Sequence, residues 1–231
     1  IITMSGVHVS YGETEVLQDV TWSVYPEDRW MIHGPNGSGK STLLSLITGD
    51  NPRAYGQEIT LFGRRKGSGE SVWQIKRRIG FVSGDLQMRY PHRTTALHTV
   101  LSGFHDSLGL YEEPGGYEVE IARGWLRRLD LAAREDARLR ELSFGEVRLL
   151  LIARAVVKNP ELLIADEPTQ GLDDRHAALV LDLLEEIGLH HPDTALLYVT
   201  HNAEERLACL THELELVPET GGGSVARRTQ L

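Results

Sequence analysis

The chain has 231 residues, which suits one large domain or one domain with a sizeable insertion. Its formal net charge of −9 argues against sequence-independent nucleic-acid binding, because such a protein needs a basic face. The single cysteine, Cys209, excludes an intrachain disulfide and favours a reducing compartment, so we expect a cytoplasmic protein. The longest apolar run, 149–157, is broken by Arg154 and is far shorter than the roughly 20 residues of a membrane helix.

The start of the chain is rich in predicted β-structure. Alternating apolar residues on either side of a turn at 11–13 are typical of half-buried antiparallel strands. Residues 29–33 predict a short buried strand, and a helix over 41–48 is expected to end at Gly49. Further elements are predicted in the same way: strands at 57–62 and 79–83, and a short helix at 73–78.

The turn between strand 29–33 and helix 41–48 matches the phosphate-loop pattern G-x-x-x-x-G-K-[S/T]. Its glycines allow positive φ, so that successive N–H groups can face an anion. Lys40 supplies a charge for the β- and γ-phosphates, and the Ser41 hydroxyl can ligate Mg²⁺. A glycine-rich turn without a ligand is the alternative, which the flanking strand and helix disfavour. We expect the loop to contact a nucleotide through Gly34, Pro35, Asn36, Gly37, Ser38, Gly39, Lys40, Ser41 and Thr42.

The sequence pattern changes at Thr94. Helical spacing over 94–110 and again over 117–129, with a loop at 112–116, indicates a helical insertion into an α/β domain. We therefore predict a single domain over residues 1–231. Its expected parts are a helical subdomain at 94–149 and a β subdomain plus core at 1–93 and 150–231.

The last ninety or so residues predict the rest of a parallel sheet. Ser143 and Glu146 form the pattern of a capping box at the start of a helix, whatever else they do. A continuous apolar strand ends at Asp166 and Glu167, and carboxylates at that edge of an open α/β sheet lie where ligands bind. The remaining elements are predicted as a helix from Asp173 closed by Gly188, a strand at 195–199 followed by His201, and a hairpin of 212–217 with 225–229.

Together these segments resemble the nucleotide-binding domain of ATP-binding cassette proteins, over essentially the whole chain. Residues 34–41 are similar to the Walker A motif, residues 162–167 to Walker B, and 142–146 (Leu-Ser-Phe-Gly-Glu) to the family signature Leu-Ser-Gly-Gly-Gln. The Walker motifs alone indicate only a P-loop NTPase, whereas the signature is specific to this family. The resemblance implies an α/β fold with a P-loop NTPase core of the cassette type, an antiparallel β subdomain and a helical insertion.

The resemblance also implies ATP and Mg²⁺ as cofactors and ATP hydrolysis as the activity. Glu167 would polarise the attacking water, with His201 and Lys40 at the γ-phosphate, and Asp166 would join Ser41 on the metal. Tyr11 lies where the family stacks an aromatic on adenine, although an aromatic at a hairpin tip is as often structural. The remaining implied nucleotide contacts are Ser143, Gly145 and the D-loop residue Asp173.

Two positions depart from the family pattern. The signature carries Phe144 and Glu146 in place of Gly and Gln. Gly84 stands where the family has a glutamine that contacts Mg²⁺ and relays to a transport partner; Gln87, three residues later, is the candidate metal ligand instead. We therefore expect ATP binding, while coupling to a membrane domain stays open.

The resemblance implies a second cassette as partner, because Ser143 and Gly145 would complete a γ-phosphate site on another cassette. Residues 43–81 look like part of a two-cassette protein of a molybdate locus, and the chain begins at Ile1, so we expect a piece of a tandem protein. One hypothesis is an ATPase linked to molybdate transport, peripheral to the inner membrane through a permease. The other is a soluble regulator or repair-type protein that uses ATP-driven dimerisation. A P-loop kinase or GTPase would explain neither the signature nor His201.

Overall fold

The computed structural model describes residues 1–202 and 205–231. Within these residues, one sheet has the strand order β5-β4-β1-β2-β10-β9-β3-β8-β7-β6. The strands are β1 (Ile2–Tyr11), β2 (Thr14–Val24), β3 (Arg29–His33), β4 (Glu58–Leu61), β5 (Arg64–Arg65), β6 (Ile79–Ser83), β7 (Leu162–Asp166), β8 (Ala195–Val199), β9 (His212–Pro218) and β10 (Ser224–Gln230). The helices are α1 (Lys40–Thr48), α2 (Val72–Lys76), α3 (Gly84–Arg89), α4 (Ala96–Leu101), α5 (Gly116–Arg128), α6 (Phe144–Val156) and α7 (Asp174–His190).

The sheet has an antiparallel part and a parallel part. β1 pairs with β2 and β4 antiparallel, and its buried and exposed residues largely alternate, as predicted for a half-buried strand. β3, β8, β7 and β6 run parallel, and Ser83 pairs with Asp166, which pairs with Val199. Four strands therefore end at one edge, so the loops that follow them emerge side by side.

The parallel strands are buried on both faces, and this divides the core in two. Leu163 and Ala165 of β7 belong to a cluster with α4, α5, α6 and α7. Leu162 and Ile164 belong to a second cluster with α1 and the antiparallel strands. Because successive side chains of a strand point to opposite faces, helices must cover both sides of this sheet. The predicted α/β fold with an antiparallel β part and a helical insertion is confirmed.

Three details differ from the sequence predictions. The helix expected over 94–110 is only α4, since turns follow Leu101. The unexpected α3 begins at Gly84, because the Ser83 hydroxyl accepts a hydrogen bond from the Leu86 N–H and caps it. Gly188 does not close α7, which continues to His190. A Cβ at position 188 would lie 2.5 Å from the sulfur of Cys209, so this glycine serves close packing.

Among the helices that the structure describes, none combines the length and apolarity that crossing a bilayer requires. The boundaries of the helical subdomain, 94–149, stay a prediction.

Gly80 of β6 provides a test of the packing between sheet and helix. An added Cβ there would lie 2.3 Å from the carbonyl oxygen of Ala155 in α6. We expect Gly80→Ala to lower the free energy of unfolding by about 1–3 kcal/mol, because strand or helix must shift to admit the methyl group. Urea unfolding measures this loss. Gly116→Ala is the matched control, since a Cβ there meets no atom within 4 Å; equal effects of the two substitutions would contradict the close approach.

Candidate nucleotide-binding and catalytic site

The loop of residues 34–39 joins β3 to α1 in a conformation that requires glycine. Gly34 has φ 150° and Gly39 has φ 94°, both in the region that favours glycine. A Cβ at Gly34 would also lie 2.6 Å from the Leu216 carbonyl oxygen, and one at Gly39 would lie 2.8 Å from Cδ2 of Leu17. Gly39 is the N-cap residue of α1 and offers no side chain to its first turn. The N-terminus of α1 is therefore open to an anion.

Two side chains of this loop fit a phosphate group. Lys40 is buried, and its ammonium donates hydrogen bonds to the carbonyl oxygens of Gly34 (2.8 Å) and Pro35 (3.1 Å). The hydroxyl of Ser38 is buried and has no hydrogen-bond partner among the described residues. Buried polar groups normally have partners, and phosphate oxygens would satisfy both of these side chains.

The two carboxylates at the end of β7 lie in different environments. Burial raises the pKa of the Asp166 carboxyl to about 6; Glu167 adds to the rise, and Lys40 opposes it. A divalent cation would favour the ionised form of such a carboxyl. The described residues hold no group of three His, Cys, Asp or Glu side chains suited to a metal ion. Asp166 and Ser41 carry oxygen donors, the type of ligand that a hard cation such as Mg²⁺ takes.

Glu167 and His201 lie together at this edge, as the sequence predicted from their strand ends. The Nδ1 atom of His201 lies 3.3 Å from Oε1 of Glu167. Glu167 has φ 46°, a left-handed conformation that is uncommon outside glycine. Such strain persists only where the surroundings hold it, and it is frequent at functional sites.

Tyr11 lies at the end of β1 with its ring half-exposed. Its hydroxyl accepts a hydrogen bond of 2.8 Å from Nδ2 of Asn51, a buried residue, and the Arg53 guanidinium carbon is 5.9 Å from the ring centroid. Asn51 thus fixes the direction of a ring that retains an exposed surface for stacking.

The signature segment forms the predicted capping box. The Ser143 hydroxyl accepts a hydrogen bond from the Glu146 N–H (3.2 Å), and the Glu146 carboxylate accepts one from the Ser143 N–H (2.6 Å). Arg134 donates a further hydrogen bond to Glu146 at 3.0 Å. The glutamate that departs from the family pattern therefore has a structural reason at this position.

His176 is a part of this region that sequence reasoning missed. Its Nδ1 donates to the Asp173 carboxylate at 2.7 Å, and its Nε2 lies 3.4 Å from the Ser143 hydroxyl. A Cβ at Gly145 would lie 2.1 Å from the His176 ring. The glycine of the signature is thus required by the imidazole that covers it. A sequence signal for His176 was available. It lies three residues after Asp173, the N-cap of α7, and this spacing places the two side chains on the same turn of the helix.

Gln87 is not free in this arrangement. Its Oε1 accepts a hydrogen bond from Nε of Arg148 (2.6 Å), and its Nε2 donates to the Phe144 carbonyl (2.9 Å). The metal-ligand role of Gln87 stays a prediction, and it would require the carboxamide to leave both partners. Arg148 itself was not singled out from the sequence.

The family model for the ABC transporter matches residues 17–170, well over half of the chain. The chain belongs to the ABC transporter family. It is an ATPase domain of that family, with the P-loop fold that its relatives share.

Individual relatives of this ABC ATPase domain differ in length. The ABC transporter ATP-binding protein ModF of Escherichia coli is 46% identical over 222 residues, 96% of this chain and 45% of ModF. The chain thus spans less than half of ModF. The uncharacterized ABC transporter ATP-binding protein YlmA of Bacillus subtilis is 36% identical over 207 residues, 90% of this chain and 78% of YlmA. A dimeric structure of the ATP-binding cassette MJ0796 bound to ADP and Pi has a TM-score of 0.76 at 24% identity, and covers 100% of this chain and 99% of its own.

The raised pKa of Asp166 gives a prediction with a definite pH dependence. The native state holds this proton more tightly than the unfolded chain, so ionisation above the native pKa of about 6 costs folded-state stability. We expect Asp166→Asn, without Mg²⁺, to raise the free energy of unfolding by about 1–3 kcal/mol at pH 7.5. The gain should shrink as the pH falls through 6 and vanish near pH 4, where both states are protonated.

Urea unfolding between pH 5 and 7.5 measures this dependence. Asp182→Asn is the control, because Asp182 is an exposed aspartate of α7. A stability gain from Asp166→Asn that is the same at every pH would show that burial of the charge is not its cause.

Proposed function

We propose that this cassette binds Mg-ATP and hydrolyses it at an interface between two cassettes packed head to tail. The observation that carries the proposal is the convergence of Lys40, Asp166, Glu167 and His201 at the end of three neighbouring strands. ATP hydrolysis needs four groups of this kind. We assign Lys40 as the cation that binds the phosphates and Asp166 as the metal ligand. Glu167 is the residue that orients the attacking water, and His201 contacts the γ-phosphate.

The phosphates are held by the turn from β3 into α1. The N–H groups of residues 37–41 and the ammonium of Lys40 bind the phosphate oxygens, and Tyr11 stacks on the adenine. Gly34, Pro35, Asn36 and Thr42 shape or line the same loop. Mg²⁺, held by Ser41 and Asp166, would neutralise charge on the phosphates. The chain itself supplies position and charge rather than covalent chemistry.

Water is activated at the end of β7. The Glu167 carboxylate accepts a hydrogen bond from the attacking water and orients it towards the γ-phosphate. His201, whose Nδ1 lies 3.3 Å from Glu167, holds that carboxylate and faces the γ-phosphate. The strained backbone of Glu167 supports this role, because it fixes the direction in which the side chain leaves the strand.

The partner we propose is a second cassette. Ser143 is exposed at the N-terminus of α6, and its hydroxyl lies within hydrogen-bond distance of the Glu146 N–H and of His176. With Gly145 and Asp173 it would meet ATP bound on the other cassette, where the helix dipole favours negative charge. The dimer of MJ0796 supports such an arrangement. The chain covers 45% of ModF. We propose that the second cassette is the other half of a tandem protein, or a second copy of this chain in isolation.

The similarity to ModF favours a molybdate-linked role at the inner membrane with a permease. A second candidate is a soluble cytoplasmic regulator or repair-type protein. The observation that favours it is the Gly84 position, where the expected glutamine is missing, together with the inward attachment of Gln87 to Arg148 and Phe144. The acidic net charge disfavours nucleic acid as the partner. We also propose that residues 94–149 form a helical subdomain.

Hydrolysis is tested with Lys40→Ala and Glu167→Gln. Lys40→Ala should abolish ATP binding, because it removes the cation of the phosphate loop. Glu167→Gln should keep ATP binding but lower the turnover number about 100-fold or more, since the amide cannot take the proton of water. Phosphate release and binding of a fluorescent ATP analogue measure the two effects. The exposed Glu219→Gln is the control; turnover by Glu167→Gln equal to that of the control would exclude Glu167 from catalysis.

Assembly is tested with the same Glu167→Gln chain, in which ATP persists. Bound ATP adds contacts to both cassettes, so nucleotide binding and association should be thermodynamically linked. We expect a monomer without nucleotide and a dimer with Mg-ATP at tens of micromolar protein, measured by sedimentation. Ser143→Arg in this background should prevent the dimer. A monomer in all conditions would contradict the homodimer, and a dimer equally tight without ATP would contradict the linkage.

A further inference from the structure

Arg148 is a completely buried cation in the second turn of α6, the helix that the signature begins. Burial lowers the pKa of its guanidinium to about 10, so it remains charged at neutral pH. Among the described residues no carboxylate lies within ion-pair distance of it. A buried charge without a counter-ion is costly unless polar groups surround it, so its partners must be well placed.

The partners of Arg148 are mainly backbone carbonyls of the turn that follows β7. One terminal nitrogen donates to the carbonyl oxygens of Glu167 (3.4 Å) and Pro168, and the other donates to that of Gln170 (3.4 Å). Three carbonyl dipoles of one turn therefore point at one cation. The Glu167 carbonyl also accepts a hydrogen bond of 3.1 Å from the Gln170 N–H, so Arg148 reinforces a turn that this backbone bond closes.

That turn carries the strained residue of the site. Glu167 has φ 46°, and its own N–H donates to the Val199 carbonyl of β8 at 2.9 Å. The N–H of Glu167 is thus held by the sheet, and its carbonyl is held by Arg148 and by the Gln170 N–H. A left-handed conformation at a non-glycine residue persists only when its surroundings fix it in this way.

Gln87 completes the arrangement from the other side. Its carboxamide oxygen accepts the hydrogen bond from Nε of Arg148, and its amide nitrogen donates to the Phe144 carbonyl. The guanidinium is planar, so a bond at Nε and bonds at both terminal nitrogens fix its orientation completely. Gln87 is buried, as this role requires.

We infer that Arg148 is the positioning residue for Glu167: it holds the turn of 167–170 so that the carboxylate meets the attacking water, and Gln87 acts through Arg148 rather than on the metal. The inference rests on the proposed role of Glu167. It also assigns a function to the buried glutamine, since Gln87, Arg148 and Glu167 then form one connected chain from α3 through α6 to the catalytic edge.

The test compares Arg148→Lys with Arg154→Lys. Arg154 lies on the same helix, is also buried, and lies over the ring of Tyr90, but it donates to Ser102 and Ser107 instead of the 167–170 turn. Lysine keeps the positive charge but lacks the planar guanidinium that donates to several carbonyls at once. Arg148→Lys should therefore lower kcat about 100-fold relative to Arg154→Lys, as expected when a reacting group is misplaced. The dissociation constant for ATP should agree between the two variants within about threefold, because neither residue touches the phosphate loop.

A second pair of variants keeps the inference testable if Arg148→Lys does not fold. Methionine has a volume similar to that of glutamine, but Gln87→Met loses the hydrogen bonds to Arg148 and to the Phe144 carbonyl. It should lower kcat about tenfold, while the Mg²⁺ concentration for half-maximal turnover stays unchanged. Gln87→Glu restores an acceptor for Arg148 and should recover kcat. If Gln87 were a metal ligand instead, Gln87→Met would raise the Mg²⁺ concentration for half-maximal turnover.

The outcomes separate this inference from the proposed function. If Glu167→Gln turns over like wild type, the role of Glu167 is wrong. If Glu167→Gln is inactive but Arg148→Lys and Arg154→Lys lose equal kcat at similar melting temperatures, only the positioning role is wrong. A loss of ATP affinity in place of kcat would also overturn it. In the Glu167→Gln background, Arg148→Lys should add little, because the group that it positions has already been removed.

Discussion

The parallel pairing of β3, β8, β7 and β6 is the constraint on which the site depends. The residue pairs Ile32–Val199, Val199–Asp166 and Asp166–Ser83 bring four strand ends to one edge. The phosphate loop follows β3, Asp166 and Glu167 lie at the end of β7, and His201 lies two residues after β8. A shift of one residue in the pairing would turn these groups to the opposite face of the sheet.

The site is built at some cost to stability. Ionising Asp166 costs free energy because the carboxyl is buried, and Glu167 is held in a strained conformation. Arg148 is a buried cation with no carboxylate of the described residues within ion-pair distance. A triphosphate with a metal ion would compensate the cost at Asp166. Backbone carbonyls compensate the buried charge of Arg148, and the hydrogen bond to β8 helps to hold Glu167. Active sites commonly trade stability for function in this way, and the well-packed clusters on both faces of the sheet supply what the edge loses.

Local patterns were sufficient for the parts of the fold and site that are written in a few consecutive residues. The phosphate loop needs glycine and lysine at fixed spacing, and the capping box of Ser143 and Glu146 lies within one turn. Sequence alone could not find Arg148, since it acts through contacts that only the tertiary fold creates. His176 left a local signal in its spacing from Asp173, but its contact with Ser143 also depends on the tertiary fold. The helix over 94–110 was predicted too long because apolar spacing continues where the chain turns, and Gly188 was misread as a helix end because its close packing against Cys209 leaves no local signal.

The position of β3 in the sheet also determines when the site can form during synthesis. Its two neighbours, β8 and β9, are made from residues 195–199 and 212–218. After Trp30, Met31 and Ile32 leave the ribosome, roughly ten to thirty seconds pass before β8 follows at ordinary rates of translation. During this time β3, a strand that ends up largely buried, lacks both of its neighbours in the sheet, and pairing over such long sequence separations is intrinsically slow. A nucleotide bound after β3 would therefore select only chains in which residues beyond 195 have already joined the sheet, and its binding would act as a late check on folding.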